Sequence, residues 1–72
     1  MDEQIKRIEF ISFCIEMYAE QHYSSGQDVI AQFDAFEVLD YLAENYEVLH
    51  TQGFGYILPL IDEYIAKQEL KG

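Results

Sequence analysis

Apolar residues recur at helical intervals through the first third of the chain, and no Gly or Pro interrupts them between Asp2 and His22. Ile8, Ile11, Ile15, Tyr18 and His22 follow one another at steps of three and four, which places them on one helical face. Phe10, Phe13, Cys14 and Met17 form a second apolar face beside it. At about 100° per residue the two cover roughly 200° of the circumference, about twice the stripe a surface helix needs. The polar remainder is a narrow strip of Glu9, Ser12, Glu16 and Glu20. The pattern predicts a first helix enclosed on most sides, as the centre of a bundle or as half of a dimer seam.

The stretch "YSSGQDV" ends this periodicity. Ser25, followed three residues later by Asp28, resembles a capping box with Asp in place of Glu. A second helix is expected from about Gly26 to Phe36, with Val29, Ile30, Phe33 and Phe36 turned inward. A third takes over near Glu37. Its seam is Leu39, Leu42, Tyr46 and Leu49, and Glu37, Asp40, Glu44 and Glu47 form an acidic ridge on another face. In "HTQG", Gly53 suits the left-handed position just past a helix end. Pro59 suits a first helical position, so a fourth helix should run from about Pro59 to Leu70 with Leu60, Ile61, Tyr64 and Ile65 inward.

The expected architecture is therefore all-α: a single small domain over residues 1–72, a compact bundle of about four helices around a central N-terminal helix. A rival arrangement stays open. "YEVLHT" and "FGYIL" are rich in β-branched and aromatic residues and flank Gln52 and Gly53, so they predict a hairpin near 47–58 and a winged-helix-like fold.

Size and charge narrow the function. A chain of 72 residues has a small core of marginal stability, and its single Cys14 forms no internal disulfide. Association with itself or with another protein is the remaining route to added stability. The formal charge is −10, and the four cations Lys6, Arg7, Lys67 and Lys71 lie near the two ends. That field has the wrong sign for nucleic acid or for an anionic membrane surface. No apolar run approaches a membrane span, and the N-terminal "MDEQIKRIEF" lacks the basic-then-apolar order of a signal peptide, so a cytoplasmic location is expected.

"VLHTQGFGY" looks most like chemistry. His50 is a possible general base, but Thr51 beside it would point about 100° away on a helix. The "GFG" lacks the strand, the longer glycine pattern and the Lys of a phosphate loop. His22 and His50 belong to different helices, and neither has a second ligand at helical spacing. Catalytic residues, cofactor, metal and small-molecule ligand are thus all expected to be absent. Six tyrosines are too many for so small a core, which points to a contact surface. The candidate interaction residues are Phe10, Phe13, Met17, Tyr41 and Tyr56, with the acidic Glu37, Asp40, Glu44 and Glu47.

Through "FCIEMYA", "VLDYLAENYEVLHTQG" and "IDEYI" the chain resembles, over nearly its whole length, a small bacterial family known as domain-of-unknown-function family 3791. "LHTQG" after a Tyr-containing helix is the recurring signature, and Pro59-Leu60 departs from the more acidic or polar pair usual there. No activity is established for that family, so the resemblance implies no functional residues. Some relatives are encoded beside proteins resembling ADP-ribosyltransferases, which implies an antitoxin-like or regulatory partner role.

Overall fold

Five helices make up the computed structural model, which describes residues 2–71: α1 (Asp2–Gln21), α2 (Gly26–Ala35), α3 (Val38–Glu44), α4 (Tyr46–Leu49) and α5 (Phe54–Lys71). Residues 1 and 72, included in the expected 1–72 domain, lie outside the described residues. No strand occurs among the described residues, so the rival hairpin near 47–58 and the winged helix built on it are not formed. Ile57, Ile61 and Ile65 recur every four residues and are all buried, so this segment serves the core as a helix.

Local chemistry explains most of the element ends. Ser25 caps α2 by accepting the Asp28 backbone N–H at 3.1 Å. At the end of α1, Ser24 N–H donates to the Ala19 carbonyl at 2.9 Å and Tyr23 N–H to Glu20 at 3.4 Å. These are the two bonds of a Schellman motif, and they hold Tyr23 at φ 54°. Glu37 takes the same left-handed conformation, φ 61°, between α2 and α3.

Gly53 does not. The only positive φ values among the described residues are those of Tyr23 and Glu37. The Gly53 carbonyl instead accepts Tyr56 N–H at 3.0 Å and Ile57 N–H at 3.1 Å, which makes this residue the N-cap of α5 and not a terminator of the helix before it. The last helix therefore begins five residues earlier than Pro59, and Pro59 lies inside it. The ring removes the bond to the Gly55 carbonyl, but Gly55 is exposed and water can serve that oxygen.

The third predicted helix is divided. Asn45 interrupts it, its side-chain amide donating to the Tyr41 carbonyl at 2.8 Å. The Arg7 guanidinium donates to the Ala43 carbonyl that the break frees. Arg7 also lies 5.2 Å from the centroid of the Tyr46 ring and pairs with Glu3 and Glu47. A cation at a helix C-terminus satisfies both an orphan carbonyl and the negative end of the dipole.

The core is continuous, with Cys14, Val29, Phe33, Val38, Leu42, Ile57 and Ile61 fully buried. Helix α1 packs against α2, α3 and α5, and α3 packs against α1, α2, α4 and α5. The expected enclosure of α1 on most sides is not found. It buries Cys14, Tyr18 and Ala19 and half-buries Phe10, Ile11, Ile15 and Met17, while Ile5, Ile8 and Phe13 remain exposed. Four helices of this size shield one side of a twenty-residue helix and leave the other open. Ile30, expected inward on α2, is also exposed, because only Val29 and Phe33 of that helix reach the core.

Candidate functional site

The candidate residues fall into three regions that the fold keeps apart. On α1, Phe10 turns in and meets Tyr46 edge-on at 5.5 Å, and Met17 packs against the core. Phe13 points out. With Ile8, Glu9, Ser12 and Glu16 it lines a shallow groove of about 260 Å³ along the outer side of the helix. Exposure here is large for apolar side chains: Ile5 56%, Ile8 59% and Phe13 55%. Ser12 is the groove's shortest side chain, and Glu9 and Glu16 lie on the same face between Ile8 and Phe13. Neither glutamate takes part in an ion pair among the described residues.

A second region joins α3 to α5. Tyr41 stacks on Tyr64 with ring centroids 4.2 Å apart, and the two line a smaller groove of about 120 Å³ with Leu60, Glu63 and Lys67. Burial raises the Tyr41 phenol above its ordinary range, with the nearby Tyr56 phenol adding to the effect. Tyr56 itself is exposed. The charges here are met locally, since Lys67 pairs with Glu63 at 3.4 Å. The acidic ridge is the third region. Glu37, Asp40 and Glu44 are exposed along α3, whereas Glu47 is drawn toward Arg7 at 3.9 Å.

His50 and Thr51 are occupied in ending α4. The imidazole stacks on Tyr46 at 4.4 Å and donates from Nδ1 to the Tyr46 carbonyl at 2.7 Å. Thr51 donates its hydroxyl to the Val48 carbonyl at 2.9 Å. The Tyr46 carbonyl also accepts the His50 backbone N–H at 2.9 Å, so the imidazole reinforces a bond already made, while Thr51 serves a free carbonyl at the helix end.

One cluster escaped the sequence. Tyr18 donates to Asp62 Oδ1 at 2.7 Å, His22 Nε2 lies 3.5 Å from the same oxygen, and the Tyr18 and His22 rings stack at 4.1 Å. Burial, then the bond to the Asp62 carboxylate, pushes the Tyr18 phenol far above its ordinary range. The carboxylate lies 44 residues away from the phenol along the chain, and no local motif announces the pairing. A phenol held protonated against a carboxylate fastens α1 to α5. Among the described residues no three His, Cys, Asp or Glu side chains gather as metal ligands, and no helix is long and apolar enough to cross a membrane.

Fold and site together define a small all-α domain whose most distinctive surface is the outer face of α1, where exposed Ile8 and Phe13 flank Glu9 and Glu16. The model of the family described as "Protein of unknown function (DUF3791)" matches residues 9–68, and the chain belongs to that family. No match was found among curated proteins or among solved structures.

Proposed function

We propose that this chain is a non-catalytic protein-interaction domain that binds through the outer face of α1. The observation that carries this is the exposure of Ile5, Ile8 and Phe13 along one helix, Ile8 and Phe13 lining a groove apart from the core. Leaving such residues wet forgoes burial worth roughly 1.5–3 kcal/mol for each side chain that a partner would fully cover. A small domain has little stability to forgo, so a covering partner is the economical explanation.

The occupant is either a second copy or a different protein. Sedimentation of the pure chain over a wide concentration range, with co-purification from the cells that make it, tests the domain's role. Complex formation that Phe13→Ser abolishes supports binding through α1. A monomer at every concentration, with no companion lost on that substitution, refutes it.

A further inference from the structure

We propose that the groove on the outer face of α1 docks a cationic amphipathic helix supplied by another protein. This rests on the protein-binding role above and commits it to one kind of partner. The groove runs along a helix with apolar walls, Ile8 and Phe13, and a short floor residue, Ser12. An incoming helix fits such a surface with anchors at intervals of three, four and seven residues. Helices pack with their axes about 8–10 Å apart, which a Ser at the crossing point allows.

The carboxylates decide which helix. Glu9 and Glu16 line the groove, and Glu20 continues the same exposed strip toward the end of α1. Lys6 alone is cationic among the described residues of that strip. A second copy is a poor occupant. Parallel pairing sets Glu9 against Glu9 and Glu16 against Glu16. Antiparallel pairing centred on Ser12 and Phe13 sets Glu9 against Glu16. Either way carboxylates meet across the interface, and the whole chain adds its formal charge of −10 to the repulsion. A helix carrying Lys or Arg among its apolar anchors meets Ile8, Phe13 and both carboxylates together, and its approach is accelerated by the field.

The test uses the full chain and a labelled synthetic helix with Leu anchors at the stated intervals, flanked by Lys and Arg. One control peptide has the same composition in scrambled order, and another keeps the anchors but replaces every cation with Glu. The patterned cationic peptide should bind about tenfold or more tightly than either control, a difference typical of one buried anchor. The pair Ile8→Ser and Phe13→Ser should weaken it about tenfold or more. The pair Glu9→Gln and Glu16→Gln should weaken it and flatten its salt dependence. All four positions are exposed, so unchanged helical circular dichroism is expected of both variants.

Equal binding of the scrambled peptide, or indifference to both variants, overturns the cationic occupant. If the chain then sediments as a dimer that Phe13→Ser dissociates, protein binding through α1 stands and the occupant is a second copy. A monomer with no groove-dependent binding of any kind removes both proposals.

Discussion

At Tyr23 the backbone is left-handed, φ 54°, and the side chain is 98% exposed. An L-residue pays for that conformation with crowding that Gly escapes, and the wet ring gains nothing in return. Tyr23→Gly should therefore stabilise the domain by about 1 kcal/mol, a rise of about 4–8 °C in melting temperature for a domain of this size. A calorimetric scan showing no rise would mean that the Schellman position carries no cost here. Cys14 sets a second expectation. Burial pushes its thiol from 9.0 to about 12. The folded state holds the proton while the unfolded thiol releases it, so its stabilising share is complete below pH 9.0 and disappears as pH climbs to about 12. Urea midpoints should fall across that window and fall less steeply in Cys14→Ala. The native thiol should also react slowly with alkylating reagents at neutral pH, since thiolate is scarce and the atom is covered.

Among the elements, α1 and the junction of α3 with α4 depend on Arg7. Its guanidinium takes the Ala43 carbonyl and covers the Tyr46 ring. Arg7→Ala should lower stability by roughly 1–2 kcal/mol, most of it from the charged hydrogen bond and the stacked ring, because the pairs with Glu3 and Glu47 are largely solvated. Arg7→Lys should recover only part, since an ammonium lacks the planar fork. Chemical denaturation of the two variants measures both steps. The same junction explains why one helix was expected where two exist. The seam Leu39, Leu42, Tyr46 and Leu49 keeps its spacing across a break confined to Asn45. Periodicity alone therefore does not register a break whose freed carbonyl is met by Arg7 from 36 residues away.

For the molecule as a whole, a Cα radius of gyration of 11.7 Å stands close to the roughly 11 Å expected of a globule this long. Stability rests on few large side chains, so Leu42→Ala, at the centre of the core, should cost about 2–5 kcal/mol and leave much of the protein unfolded at physiological temperature. Phe13→Ser should change stability by less than about 0.5 kcal/mol, because the ring already faces water. Thermal melts of the two would separate residues that hold the fold from residues held for a partner. A large loss from Phe13→Ser would place that ring in the core and deny it to the groove.

Apolar spacing and local caps together favoured helices while leaving 47–58 open to a hairpin, placed the starts of α1 and α2, and turned Leu42, Ile61 and Ile65 inward. Those properties follow from the 3.6-residue period and from caps such as Ser25, which act within a few positions. Spacing also revealed that α1 carries more apolar surface than one core contact uses. Tertiary packing alone decided which part of that surface stays open: α2, α3 and α5 cover the side bearing Cys14 and Tyr18, and Ile8 and Phe13 are left outside. It likewise admitted Pro59 to the interior of α5, where burial of Ile57 and Leu58 outweighs the hydrogen bond that the ring removes. Contacts between residues distant in sequence, Tyr18 with Asp62 and Arg7 with Ala43, form only once the chain has folded and so leave no periodic trace along it.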